Sequence, residues 1–256
     1  MERWSGRVAL VTGASTGIGE AFCRALVKHG MTVVGCARRV ELIEKTAKEL
    51  EGETGRLIPM KCDLTVKSEI ESMFRAIKDQ VGGVDVCVNN AAYLSTQQLL
   101  VGDTDTFQKM LDTNIMGLSI VTQMAVQSMK ERKVDDGHII HISSITGHRY
   151  CREIAAMHFY STTKHAVKCL TEGLRACLRA EESMIRVSTI SPAVVDTVMA
   201  RKWVEAEFGK EKMEQLFRRR QCLLPEEVAD NLIYILSAPP SVNIRDICMS
   251  GVLDPL

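Results

Sequence analysis

An excess of charge is the first thing this sequence lacks: 32 Lys and Arg stand against 32 Asp and Glu, for a net charge of zero. A balanced chain offers no electrostatic case for nucleic acid or for an anionic membrane surface. The basic run Arg218-Arg219-Arg220 is short and reads as a solvated helix face. Long apolar runs are missing too. No stretch reaches the ~20 residues that cross a bilayer, and the opening MERWSGRVALVTG has no signal-peptide pattern. Nine cysteines, at 23, 36, 62, 87, 151, 169, 177, 222 and 248, form no CxxC pair and no Cys/His cluster at zinc spacing. An odd number without a framework fits free thiols in a reducing compartment, so a cytoplasmic protein with no metal site is expected. Repeats, low-complexity tracts and linkers are absent as well.

What is present is an ordinary globular composition, 46% hydrophobic and 25% charged over 256 residues, enough to bury a sizeable core. Arg7–Thr12 (RVALVT) is a short apolar strand ending at Gly13. GASTGIG follows, with Gly13, Gly17 and Gly19 framing Ser15, Thr16 and Ile18, and then the helical EAFCRALVKHG, with Gly30 as its stop. Strand, glycine turn and helix N-terminus together suit a pyrophosphate, since glycine lets the backbone approach and the helix supplies amide donors. The spacing is G-x3-G-x-G, not the commoner G-x-G-x-x-G.

Met31–Ala37 is the second strand. A carboxylate at its end would bind the ribose hydroxyls of NAD. Ala37 stands there instead, followed by Arg38 and Arg39, which can fork onto a 2′-phosphate that an acid would repel. The expected cofactor is therefore NADP(H). Further along come a helix at 40–50, a strand at 56–60 leading to Cys62-Asp63-Leu64, a helix at 67–81 and a strand at 84–88 ending in Asn89-Asn90-Ala91-Ala92. Asp63 could meet the adenine edge or cap the next helix. One long helix is expected at 105–130, containing Asn114, then strands at 137–142 and 185–190 around a helix reaching Arg179. Residues 194–224 are amphipathic and longer than a connection requires, as a substrate lid would be. Pro225 opens a last helix to Leu236, and 244–249 is the seventh strand. Alternating β and α units give a single-domain α/β fold: a doubly wound, Rossmann-like parallel sheet of seven strands.

The chemistry concentrates between His138 and Lys164, where Ser143-Ser144 precede Tyr160 and Lys164. Tyr and Lys at i and i+4 share a helix face. A cation roughly 4 Å from a phenol would lower its pKa by about three units at an effective dielectric of about 20. Such a pair is a sensible proton donor and acceptor. His148 and His158 lie in the intervening loop and are read as its polar groups, not as catalysts.

TGASTGIG at 12–19, CDL at 62–64, NNAA at 89–92, Asn114, ISS at 142–144, YSTTK at 160–164 and SPAVVDT at 191–197 together resemble the short-chain dehydrogenase/reductase family, over almost the whole chain. The resemblance implies that Tyr160 exchanges the proton with the substrate oxygen, which Ser144 also holds. Lys164 would lower the pKa of Tyr160 and bind the nicotinamide ribose; Asn114 would hold a water linking Lys164 to solvent. Asn90 would support the cofactor ribose, Asp63 and Leu64 the adenine, and Val195 to Thr197 the carboxamide. Three features depart from the family pattern: Ala92 and Ala193 replace glycines, and the interval from Ser144 to Tyr160 is longer than usual. Homodimers or homotetramers through the 105–130 and 157–180 helices are implied too. The expected reaction interconverts an alcohol and a carbonyl. Val198, Met199, Trp203, Phe208, Met213 and Phe217 make the lid apolar, so Met199 and Trp203 are expected at an apolar substrate. Other stretches, among them QSMKERKVDDGHII, HFYSTTK and LTEGLR, resemble branches of the family acting on hydroxysteroids or farnesol. That places 3- and 17-ketosteroids first, then farnesol-type isoprenoids and small dicarbonyls. A glycine-loop methyltransferase would leave Ser144, Tyr160 and Lys164 idle; a non-catalytic NADPH sensor would not need them.

Overall fold

The computed structural model describes residues 1–149, 154–218 and 222–253. Arg219, Arg220 and Cys151 lie outside them, as does part of the loop before Tyr160. Seven strands form one parallel sheet: β1 (Val8–Thr12), β2 (Thr32–Ala37), β3 (Arg56–Lys61), β4 (Val86–Asn89), β5 (His138–Ile142), β6 (Arg186–Pro192) and β7 (Asp246–Met249). Their order is β3-β2-β1-β4-β5-β6-β7, so the chain winds outward from β1 one way, then from β4 the other. Register is continuous across the centre, with Leu10 opposite both Val34 and Cys87, and Cys87 opposite Ile139.

Successive side chains of a strand point to opposite faces, and both faces here are apolar. Ala9 and Val11 pack with Val33, Val88 and Ile140 beneath α1 (Ile18–Lys28) and α9 (Pro225–Ser237). Val8 and Leu10 pack with Val34, Cys87 and Ile139 on the other side. There they meet α3 (Lys67–Val81), α5 (Leu118–Glu131) and the end of α6 (His158–Ala180). A sheet covered on both faces needs apolar residues in consecutive positions, which is why these strands read as unbroken runs. α2 (Val40–Glu49) adds Ile43 to the first layer.

Two expected elements are divided. The helix anticipated at 105–130 is α4 (Thr104–Leu111), a π-helical turn at Asp112–Gly117, and α5. The wider turn lets Asn114 reach sideways to Tyr93 and Thr163, and brings Gly117 so close to Leu64 that a Cβ there would stand 2.7 Å from its carbonyl. Helical periodicity carries no trace of one wide turn. The segment 194–224 likewise holds two helices, α7 (Val198–Phe208) and α8 (Lys210–Arg218), separated by Gly209 at φ +84°.

Candidate active site

The carboxyl ends of the strands open into one cleft of ≈ 360 Å³. Such a crevice forms where a doubly wound sheet reverses its order, here between β1 and β4. Its floor at one end is the turn from Gly13 to Ile18. Two glycines there are dictated by space and backbone: Gly13 has φ +67°, and a Cβ would fall 2.8 Å from Ala91 Cα. Gly19 is tighter still, since a Cβ would meet the Gly13 carbonyl oxygen at 2.3 Å and the Asn90 amide at 2.6 Å. Asn90 donates from Nδ2 to the carbonyls of Thr12 (2.9 Å) and Gly13 (3.3 Å), fastening the end of β4 to this turn. Thr12 Oγ1 accepts from the amides of Asn90 and Ala91. Thr12 opens the TGASTGIG motif, but no role was assigned to its side chain from sequence.

Arg38 and Arg39 are exposed at the mouth of β2, and both line the cleft. Neither makes an ion pair or side-chain hydrogen bond among the described residues. Asp63 Oδ1 accepts from the amide (3.0 Å) and hydroxyl (2.8 Å) of Thr65, while Val66 is the N-cap of α3. Asp63 therefore shapes a turn beside the cleft and does not cap the helix. Burial resists its ionisation, but the two bonds from Thr65 and the fields of Arg38 and Lys109 prevail and lower its pKa. Leu64 lines the cleft next to it.

At the other end, Ser144, Tyr160 and Lys164 all face the same space. Ser144 caps a single turn at Ile145–Gly147, its Oγ accepting from Thr146 N (3.2 Å) and Thr146 Oγ1 (3.1 Å). Tyr160 and Lys164 are both buried on α6, with the ammonium 5.5 Å from the phenol ring centroid. Lys164 Nζ donates to the Ile142 carbonyl at 2.8 Å. The downward shift anticipated for Tyr160 is not what this environment gives. Burial pushes the phenol up, and burial pushes Lys164 down to about 8. Desolvation penalises both charged forms, and at this separation it outweighs the attraction between them. As it stands, the phenol holds its proton firmly.

Asn114 is buried and does not line the cleft. Its Oδ1 accepts from Tyr93 N at 2.7 Å, and its Nδ2 donates to Tyr93 O (2.9 Å) and Thr163 Oγ1 (3.0 Å). The side chain thus ties the segment after β4 to α6 at Thr163, the residue before Lys164. Tyr93, Thr113 and Lys109 line the cleft and were not anticipated; Tyr93 directly follows NNAA, which was the available signal. His148 lies outside the cleft. It contacts Ser191 Oγ at 2.9 Å and Lys168 Nζ at 2.7 Å, with Asp246 at 3.6 Å, joining the Ser144 turn to β6, β7 and α6. His158 opens α6. Neither lines the cleft.

Val195, Thr197, Met199 and Trp203 bring 194–203 over the cleft. Val195 bridges to Leu223, and Thr197 Oγ1 accepts from Ala200 N at 3.1 Å as the N-cap of α7. The Thr197 methyl sits where a Cβ on Gly17 would fall, 2.9 Å away, so α7 begins directly above the glycine turn. Ile154, Met157 and Tyr160 meet Trp203 in an apolar cluster with Met110 and Phe217. Ala92 and Ala193 line the cleft, and neither adopts a positive φ. The backbone at both places accepts an ordinary L residue, so alanine restricts neither turn.

A cradle of glycines at a helix N-terminus, free guanidinium groups at the β2 end and a buried Tyr–Lys pair fit a nicotinamide dinucleotide. A model of the short chain dehydrogenase family matches residues 7–207. The chain belongs to the short-chain dehydrogenase/reductase family, and it is an oxidoreductase acting on CH–OH groups. It is 53% identical over 251 residues to dehydrogenase/reductase SDR family member 11 of Gallus gallus, covering 97% of both chains. It is 41% identical to farnesol dehydrogenase of Aedes aegypti, over 98% of each. Among solved structures, the closed form of a serine dehydrogenase complexed with NADP+ superposes with a TM-score of 0.82 at 29% identity, covering 96% of this chain and 95% of that one. Binding of a nicotinamide cofactor and interconversion of alcohol and carbonyl follow from this membership. No helix among the described residues is long and apolar enough to cross a membrane.

Proposed function

We propose that this protein is an NADP(H)-dependent reductase and dehydrogenase of neutral apolar carbonyl compounds and alcohols, with 3- and 17-ketosteroids as the first substrate class. One observation carries the reading: a single cleft joins Arg38 and Arg39, with no acid after β2, to Ser144, Tyr160 and Lys164 beneath an apolar wall. The guanidinium groups would hold a 2′-phosphate. The glycine turn would receive the pyrophosphate at Ser15, Thr16 and Ile18, Asp63 and Leu64 the adenine, Asn90 and Lys164 the riboses, and Val195 and Thr197 the carboxamide. When bound, the nicotinamide supplies or accepts the hydride.

The rest is done by this chain. Ser144 Oγ donates a hydrogen bond to the substrate oxygen, and Tyr160 hands that oxygen its proton in reduction or takes it back in oxidation. A phenol kept neutral by burial is ready for the first task. The Lys164 ammonium favours the phenolate that remains, while Asn114 keeps α6 in register with the cofactor side. Residues 194–224 would act as a lid, Met199 and Trp203 lying against the substrate and excluding water. Isoprenoid alcohols are the second reading, favoured by the relative named farnesol dehydrogenase. Free thiols such as those of Cys23, Cys87, Cys169 and Cys177 suit a reducing compartment such as the cytoplasm. The exposed Met116 and Leu170 on the α5 and α6 side suit a homodimer or homotetramer.

The test compares NADPH with NADH across ketosteroids, isoprenoid aldehydes and small diketones. The expected result is a kcat/KM preference for NADPH of at least ~10², removed in Arg38→Ala/Arg39→Ala, in line with two charge-assisted contacts. Equal use of NADH by the unaltered protein would overturn the cofactor assignment.

A further inference from the structure

We propose that Trp203 is a specificity-determining residue, whose indole N–H donates to a second oxygen of the substrate. A neutral apolar carbonyl compound bearing another carbonyl or hydroxyl would then be selected over one whose remainder is hydrocarbon. This deepens the alcohol–carbonyl reading of the cleft and rests on it.

Five buried side-chain polar atoms have no hydrogen-bond partner among the described residues: Asn89 Oδ1, His138 Nδ1, Ser161 Oγ, Arg186 Nη2 and Trp203 Nε1. Of these, only Trp203 lines the cleft. Indole is a donor and nothing else, so an acceptor must come to it. The other tryptophan shows what this chain does when an indole is buried for structure alone: Trp4 Nε1 donates to the Leu236 carbonyl at 2.9 Å. Around Trp203, the cleft wall of Ile154, Met157 and Val194 offers only the Met157 thioether as a side-chain acceptor, a weak one. Phe208 meets the indole edge-on, with ring centroids 6.0 Å apart and 81° between planes, and a π face is a weak acceptor. A buried donor without a partner is costly in a native protein. The molecule that can supply one is the occupant of the cleft.

The acceptor must be neutral, because a carboxylate would lose its hydration against this wall. It must also be a second oxygen, since the reacting one belongs to Ser144 and Tyr160. Trp203 Nε1 has almost no exposed surface, so the wall has to shift for an oxygen to reach it. α7 is suited to that: Val198, Met199 and Phe208 are exposed on it, and Gly209 at φ +84° ends it. A bound substrate with one oxygen would leave the N–H as it is. One with two would draw α7 onto itself.

The test uses the full-length protein with NADPH, a steroid 3,17-dione, and the 3-monoketone of the same skeleton. In Trp203→Phe, which keeps the ring and removes the donor, kcat/KM for the dione is expected to fall about tenfold, the worth of one neutral hydrogen bond. The monoketone, which meets the same wall without using the donor, should lose less, so that the ratio of the two kcat/KM values falls at least ~fivefold. Independently of turnover, 15N labelling gives one indole signal for each of the two tryptophans, and the one missing in Trp203→Phe is assigned. That signal should move downfield in the unaltered protein with the dione and stay in place with the monoketone. Equal losses for both ketones, or an indole signal unmoved by a dione that the protein reduces, would overturn the proposal. Absence of Tyr160-dependent reduction of every carbonyl tested would instead overturn the reading on which it rests.

Discussion

Tyr160 and Lys164 set the chemistry through burial more than through their mutual attraction. The ammonium is 5.5 Å from the phenol ring, and its own pKa is depressed to about 8 by desolvation. Lys164 is therefore charged at neutral pH and loses its proton as pH rises through about 8. Reduction should show a kcat/KM profile with a falling limb of apparent pKa near 8. In Lys164→Arg, whose guanidinium stays charged, the residual activity should lack that limb. A flat profile from pH 7 to 9 in the unaltered protein would contradict the assignment. The sequence made this pair legible through its i, i+4 spacing, but not the direction of the phenol's shift. Spacing tells which groups can meet, whereas desolvation depends on what surrounds them, here Ile154 and Met157 from the turn before α6 and Trp203 from α7. Asn114 is similar. Its place mid-helix was plain, yet its partners Tyr93 and Thr163 lie 21 and 49 residues away.

Among elements, the glycine turn and α1 are the most constrained. Gly19 is fixed by the Gly13 carbonyl at 2.3 Å and the Asn90 amide at 2.6 Å from its missing Cβ. Backbone cannot give way as a flexible side chain can. Gly19→Ala should weaken NADPH binding at least tenfold in a fluorescence titration, while Gly173→Ala, exposed on α6 with open space around it, should leave binding unchanged. Full-strength binding in Gly19→Ala would show that the turn does not shape the cofactor site. Strands and most helices were legible because both sheet faces demand apolar runs and the intervening segments repeat at helical spacing. The π turn at Asp112–Gly117 and the division at Gly209 were not. Each answers to a contact outside its own segment or to one backbone angle, and neither leaves a period in the sequence.

For the molecule as a whole, two histidines of β5 couple stability to pH. His141 is hydrogen-bonded through Nε2 to Thr122 Oγ1 at 3.0 Å and through Nδ1 to Thr171 Oγ1 at 2.8 Å, buried between sheet and helices. Burial lowers its pKa to about 3, and lowers that of His138 as well. The unfolded chain takes up these protons near pH 6.5, the folded chain only far below. The unfolded state thus binds more protons across that window, and stability is lost as pH falls below about 6.5. His141 alone contributes a slope of about 1.4 kcal/mol per pH unit there. Urea unfolding midpoints should be level from pH 8 to 7 and drop steadily from 6 to 5. Midpoints unchanged down to pH 5 would mean that the histidines do not remain neutral in the folded protein. The sheet order itself was open from sequence, since alternating elements specify a doubly wound sheet without saying where it reverses.

The central claim is that Tyr160 moves the proton in an NADPH-linked reduction within the cleft. The most direct measurement is the reduction of a ketosteroid by the unaltered protein and by Tyr160→Phe, with NADPH affinity determined for both. The account predicts a loss of kcat on the order of 10²–10⁴, the usual worth of a general acid, with NADPH affinity changed less than threefold. Retention of kcat within threefold of the unaltered protein, with NADPH bound normally, would contradict it.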